Sequence, residues 1–258
     1  RDDGYFGDEL GRMYAHGIAT LFLSEVSGMV QAERQRKVGL ALAKAVQLIL
    51  DAQKFPKNTA IAGARQGGWR YTPDSADCDI SVTGWQLMAL RSARLNGAPV
   101  PPEAIRDAIS YVDACRTSDG GFSYSVPWWY ARRRYWVGGE SKPSSTAVGL
   151  LSRELGGFHG DDTSVKAGEY LRRSLSGFPG WPFHEYATYY AAQGMFQLGD
   201  KYWEEFGETM YEHLLRTQDP DGSWKTTEGG KSYGHAYSTS MYVLSLTVSY
   251  RQLPIYQR

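Results

Sequence analysis

The sequence predicts an all-α fold built of stacked helical hairpins, and three observations predict it. A short pattern ending in Thr recurs five times, as His16-Gly-Ile-Ala-Thr20, Asp79-Ile-Ser-Val-Thr83, Lys142-Pro-Ser-Ser-Thr146, His184-Glu-Tyr-Ala-Thr188 and His235-Ala-Tyr-Ser-Thr239. A glycine–aromatic mark precedes each one: Asp3-Gly-Tyr-Phe6, Gly67-Gly-Trp69, Asp119-Gly-Gly-Phe122, Gly180-Trp181 and Asp221-Gly-Ser-Trp224. Strand signals are weak, with no convincing run of alternating Val, Ile and Thr. Recurrent helical units of this kind bury their apolar faces by stacking on their neighbours.

Each Thr leads a segment with few charges, such as Gly84-Trp-Gln-Leu-Met-Ala-Leu90, which reads as a helix buried almost all round. Five such inner helices are expected. Between them, residues 31–53, 102–116, 163–174 and 202–217 carry charges on one face and apolar residues at three- and four-residue spacing. Leu40, Ala43, Val46 and Ile49 show this in the first, and Ile105, Ile109 and Val112 in the second. These are outer helices with one face in water. Pro101-Pro102 suits a helix start, where the first amides are unpaired in any case. Gly97, Gly156-Gly157 and Gly199 are stop signals after inner helices. His159-Gly-Asp-Asp-Thr163 reads as a loop running into a helix, with Asp162 or Thr163 as its cap. Alternating hairpins of this type close either an open solenoid or a ring with the buried helices inside.

Composition narrows the function. The 258 residues carry 28 Lys and Arg against 28 Asp and Glu. A net charge of zero argues against nucleic acid and against an anionic membrane surface. No apolar stretch is long enough to span a bilayer, and the first residues hold no apolar signal core. The chain opens on Arg1 without an initiator Met, as a processed or trimmed product does. Two cysteines, Cys78 and Cys115, make no disulfide scaffold and leave the compartment open. Aromatics are plentiful at 14%, and Tyr leads them with 18; Tyr lines wet cavities as readily as it fills cores.

Gln66-Gly-Gly-Trp69 and Gln218-Asp-Pro-Asp-Gly-Ser-Trp224 resemble the glutamine–tryptophan repeats of squalene–hopene cyclases, and Asp119-Gly-Gly-Phe122 resembles the matching turn of protein prenyltransferase β subunits. The resemblance runs from about Asp2 to Leu246. It implies the α/α toroid of the terpenoid cyclase superfamily, as a single domain over 1–258. With five inner helices the chain corresponds to an incomplete (α/α)6 ring, whose natural precursor is expected to extend N-terminally. The function implied is binding or conversion of a hydrophobic, isoprenoid-like ligand in a central aromatic cavity, the activity being of the intramolecular transferase or isomerase type. The alternative is a non-catalytic scaffold that binds polysaccharide or protein.

In such a ring the position four before each Thr would circle one mouth of the cavity. His16, Asp79, Lys142, His184 and His235 hold it, beside helix N-termini that add partial positive charge. Asp77, Asp79 and His235 are the catalytic candidates. Class II cyclases use the middle carboxyl of Asp-x-Asp-Asp-Thr as the acid. Here Asp77-Cys-Asp79-Ile-Ser81 puts Asp79 there if the first aspartates are matched, and Ser81 if the Thr is matched. The ligand-binding candidates are His16, Lys142, His184, Tyr237 and the aromatic-basic loop with Trp128, Trp129, Arg133 and Trp136, a lid or clamp at the mouth. No cofactor is required. A zinc ion has weak candidate ligands in Cys78, Asp79 and His235, and Asp113-Ala-Cys115 has the spelling of the prenyltransferase zinc motif but sits on an outer helix.

Overall fold

The computed structural model describes residues 1–9, 11–58, 65–130, 135–137, 139–227, 233–250 and 255, with backbone alone at 128–130 and 135–137. The chain divides into two compact units, Arg1–Arg116 with Ser123–Gly139 and Leu253–Ile255, and Thr117–Phe122 with Glu140–Gln252 and Tyr256–Arg258.

The first unit holds α1 (Arg12–Glu25), α2 (Ala32–Lys54), α3 (Ile80–Leu95) and α4 (Pro102–Ala114). Inner helices α1 and α3 pack on each other, while α2 and α4 pack against them from outside. The second unit holds α5 (Pro143–Leu155), α6 (Asp162–Arg173), α7 (His184–Leu198), α8 (Asp200–Thr217) and α9 (His235–Leu246). There α7 lies between α5 and α9, with α6 and α8 outside. The fold is all-α, with the alternation of buried and amphipathic helices that the repeats predict. In α3 every residue from Ile80 to Leu90 is buried, whereas α8 buries only Phe206, Gly207, Met210 and Leu214. One short β-hairpin departs from the expectation: β1 (Trp128–Tyr130) pairs antiparallel with β2 (Tyr135–Val137). Three-residue strands are too short to leave a readable alternation.

The glycine–aromatic mark has a physical explanation. Its tryptophan is buried and its indole N–H donates to a carbonyl at or near the end of the preceding outer helix: Trp69 to Ile49 (2.8 Å), Trp181 to Ser174 (3.1 Å) and Trp224 to Leu214 (2.8 Å). The backbone amide of the aromatic is met by the Thr of the following inner helix. Thr83 Oγ1 accepts from Trp69 N (3.1 Å), Thr146 from Phe122 N (3.0 Å) and Thr239 from Trp224 N (3.2 Å). The two marks read from sequence are therefore one joint. Thr83→Val would leave the buried Trp69 amide without an acceptor, and is expected to cost about 1–3 kcal/mol in urea unfolding.

This joint also corrects the register of the first repeat. There the amide of Phe6 donates to His16 Nδ1 at 3.2 Å, so His16 and not Thr20 takes the place that Thr83, Thr146 and Thr239 hold. Helix α1 starts at Arg12, and Thr20 donates to the His16 carbonyl (2.7 Å). A slip of four residues keeps the same helix face, so the pattern alone did not reveal it. The fourth repeat differs too: Trp181 N–H goes to Phe178 O (3.1 Å), while the Thr188 hydroxyl stands 3.4 Å from His184 Nδ1.

Three mark glycines adopt the left-handed conformation against the next outer helix. A Cβ on Gly4 would meet Lys44, one on Gly67 the Asp107 carbonyl and one on Gly120 the Lys166 carbonyl. Helix α6 is capped by Asp161, whose carboxylate accepts from Ser164 N (2.9 Å), rather than by Asp162 or Thr163. The carboxylate must reach forward to the third following amide, and only Asp161 has an extended backbone there. Among the described residues no helix is long and apolar enough to cross a membrane.

Candidate functional site

Asp79 anchors a buried polar cluster in the first unit. It is the N-cap of α3 and wholly buried. Its backbone pairs with Trp69, so the second mark lies against the start of the helix. Asp79 Oδ1 accepts from Val82 N (2.8 Å) and from the Ser81 hydroxyl (2.7 Å). Ser81 Oγ is 2.5 Å from the Tyr14 hydroxyl. Because Ser81 donates to Asp79, Tyr14 donates to Ser81, and two hydroxyls form a relay ending on the carboxyl. Oδ2 receives no well-formed hydrogen bond among the described residues. Arg70 Nε stands 3.5 Å from it, while Arg70 Nη1 lies 3.3 Å from Asp77 Oδ2.

Two tyrosines hold Arg70. Its guanidinium lies 4.6 Å from the Tyr71 ring centre and 5.6 Å from that of Tyr124. The two phenols are bonded to each other at 2.6 Å. Tyr124 is fixed in turn by its backbone carbonyl, which accepts from Ile80 N at 2.9 Å.

Burial pushes the Asp79 carboxyl above its ordinary value, against the opposing pull of Ser81, Val82, Arg70 and Tyr124. For Arg70 burial works against the charge, but Asp79, Tyr124 and Asp77 outweigh it and raise its value. The cluster therefore pairs a carboxyl raised above its ordinary value with a cation beside its second oxygen. Among the described residues this is the arrangement best suited to acid chemistry.

The other residues singled out from sequence are placed as follows. Asp77 is half-buried and shares Arg70 with Asp79. His16 is wholly buried, and its ring is committed to backbone, accepting from Phe6 N and facing Ala45 O at 3.1 Å. It joins the core of the first unit and does not share the position of Asp79. Lys142 is exposed at the N-cap of α5, and His235 is exposed at the start of α9 in the second unit. His184 is buried, bonded through Nδ1 to the Tyr242 hydroxyl (2.8 Å) and packed on Phe178 and His213. Tyr237 packs on Tyr233, and burial and then Glu185 raise its phenol. Arg133 and the side chains of Trp128, Trp129 and Trp136 lie outside the described residues. Glu185, missed in the sequence reading, is buried and accepts from Thr227 N (2.5 Å) and the Thr227 hydroxyl (2.8 Å). A surface groove of about 520 Å³ in the first unit is lined by Asp3, Lys44, Gln47, Asp51, Phe55 and Asp74; none of the Asp79 partners lines it.

Among the described residues no three His, Cys, Asp or Glu side chains gather as metal ligands. Of the weak candidates for zinc, Cys78 and Asp79 lie in the first unit and His235 in the second. Burial holds the Cys78 thiol up at about 11, and it donates to the Arg65 carbonyl (3.3 Å). Cys115 is buried at the end of α4 and is likewise pushed up by burial.

Burial lowers both His16 and His184 from 6.5 to about 4, so both are neutral in the fold at pH 7. Below pH 6.5 the unfolded chain takes up protons that the folded chain refuses. Each histidine is therefore expected to cost about 3 kcal/mol of stability as the pH falls from 6.5 to 4. Urea unfolding across that range measures the slope.

A scan of protein-family models gives no match to the chain, and a search of the curated proteins gives none either. Solved structures do match. A variant of the type II terpene cyclase MstE from Scytonema, in complex with geranylgeranyl dihydroxybenzoate, matches at a TM-score of 0.62 and 16% identity over 90% of this chain. The apo form of MstE matches at a TM-score of 0.58 and 16% identity over 90%. The chain has the fold of type II terpene cyclases. It spans 62% and 63% of the length of those two chains. A shared fold does not by itself fix an activity.

Proposed function

We propose that the protein binds a hydrophobic, isoprenoid-like ligand and that Asp79 protonates one of its alkenes in the manner of a type II cyclase. The observation that carries this is the buried Asp79 carboxyl, one oxygen bonded twice and the other, without a well-formed hydrogen bond among the described residues, beside Arg70. In the proposed step the Asp79 O–H bond breaks and a C–H bond forms on the alkene. The electrons of the double bond make the new bond, and the resulting cation is met by further double bonds of the same molecule. Loss of a proton from the last cation ends the reaction, so substrate and product are isomers. The Asp79 carboxylate is stabilised by Ser81, the Val82 amide and Arg70, and Tyr14 and Ser81 offer a route by which its proton returns. An aromatic cavity that shelters the cation, and a single domain over 1–258, belong to the proposal. MstE, in complex with geranylgeranyl dihydroxybenzoate, lends support from a protein of the same fold.

Ile80, standing where the cyclase motif has a third carboxylate on one alignment, favours the second reading, a non-catalytic scaffold for polysaccharide or protein. The two separate on incubation of the purified protein with squalene and with geranylgeranyl dihydroxybenzoate. The first reading expects a cyclic isomer of unchanged mass that Asp79→Asn fails to make. Absence of both binding and conversion, or equal conversion by the variant, would overturn it.

A further inference from the structure

The residue beside the candidate acid is itself unusually held. Arg70 follows the second mark directly, and the Trp69–Asp79 pairing brings it alongside the start of α3. One guanidinium reaches two carboxyls, Asp77 through Nη1 and Asp79 through Nε. Its guanidinium also lies against the rings of Tyr71 and Tyr124, whose phenols are bonded to each other. An arginine tied only to half-buried Asp77 would need no such clamp.

We propose that Arg70 is a positioning residue: clamped by Tyr71 and Tyr124 and neutralised at rest by Asp77, it keeps a positive charge against Asp79 Oδ2 and so governs how readily that carboxyl gives up its proton. This rests on the reading of Asp79 as the acid. Before transfer Asp79 is neutral, and Asp77 balances Arg70. After transfer the same cation faces a second anion without having to move, so the charged state is met by a pre-arranged partner. Oδ2, which receives no well-formed hydrogen bond among the described residues, fits this, because an oxygen already saturated with hydrogen bonds would leave Arg70 little to add. Other titratable groups close enough to sense Asp79 are Tyr124, Tyr111, Cys115 and Cys78, all of them held neutral at pH 7 by burial.

The arrangement makes opposite predictions for its two neighbours. Arg70→Gln removes the cation and should move the titration midpoint of Asp79 upward by about one pH unit. Asp77→Asn removes the competing anion and should move it downward. Arg70→Lys keeps the charge but loses the fork, and should stay nearer the wild type than Arg70→Gln does. The test is carbon-13 NMR of labelled aspartate in the whole chain, with the Asp79 signal assigned by Asp79→Asn. If Arg70→Gln leaves the midpoint in place or lowers it, or Asp77→Asn raises it, the proposal is wrong. Should Arg70→Gln not fold, Asp77→Asn and Arg70→Lys still decide. With squalene or geranylgeranyl dihydroxybenzoate as the probe, Arg70→Gln should lower kcat roughly 10- to 100-fold with little change in KM. Loss of this coupling leaves the Asp79→Asn result intact, whereas an active Asp79→Asn variant removes the proposed function and leaves the NMR shifts standing.

Discussion

Asp79→Asn is expected to lose polyprenyl turnover by at least about 100-fold while leaving the protein no less stable at pH 7. The two effects share one cause. Asp79 is wholly buried, and burial raises its carboxyl above the ordinary value. A group whose folded value is raised contributes stability at low pH, and that stability drains away as the pH rises through the folded value. At neutral pH the carboxyl is thus a burden on the fold. Asn keeps the side-chain oxygen that accepts from Ser81 and Val82, and Asn is as good a helix cap as Asp. It replaces Oδ2, and the transferable proton with it, by an amide NH2 beside Arg70. Thermal unfolding and product assay on the same preparation should therefore move independently: melting temperature level or higher, turnover gone. A residue kept for the fold would show the reverse, a loss of stability with activity in proportion. Proteins commonly tolerate strain of this kind where they do chemistry.

The largest expected effect on stability is at Gly67. Its φ is +109°, which side chains rarely adopt, and a Cβ there would stand 2.3 Å from the Asp107 carbonyl of α4. Gly67→Ala is expected to cost about 3 kcal/mol or more, since neither the turn nor the helix backbone can give way cheaply. Gly97 offers the control. It is also left-handed, at φ +86°, with nothing within 4 Å of the added carbon. Gly97→Ala should cost only about 1–2 kcal/mol, the conformational part alone. Equal losses at both sites in urea unfolding would mean that the close approach of mark and outer helix contributes little, and that the repeat is held by its aromatic alone.

Much of the fold was legible because the repeats write the same joint several times. The Gly–Trp turn, the Thr and the alternation of buried and half-buried helices each follow from a local requirement. What escaped was whatever depends on contact between distant segments. The first repeat was read one turn out, because His16 does with an imidazole what Thr83 does with a hydroxyl, and only the partner, Phe6 N, reveals it. Asp79 stood out by its place in the motif. Arg70, Tyr71, Tyr124 and Tyr14 did not, although a signal was present: Tyr71 and Tyr124 each lie two residues after the aromatic of a mark. The backbone after a mark runs beside the start of an inner helix, so that offset points at the helix N-terminus. Lys142 and His235, which share their motif place with Asp79, are exposed where Asp79 is buried. A position in a repeat fixes where a residue sits along its helix, and the neighbouring loop decides whether water reaches it.

The central claim is that Asp79 gives a proton to carbon, and incubation in heavy water tests it most directly. The exchangeable proton of Asp79 becomes a deuteron, and the account predicts one deuterium, bonded to carbon, in each molecule of cyclised product from the wild-type protein and no product from Asp79→Asn. Product free of deuterium, or deuterated product made equally well by Asp79→Asn, would contradict it.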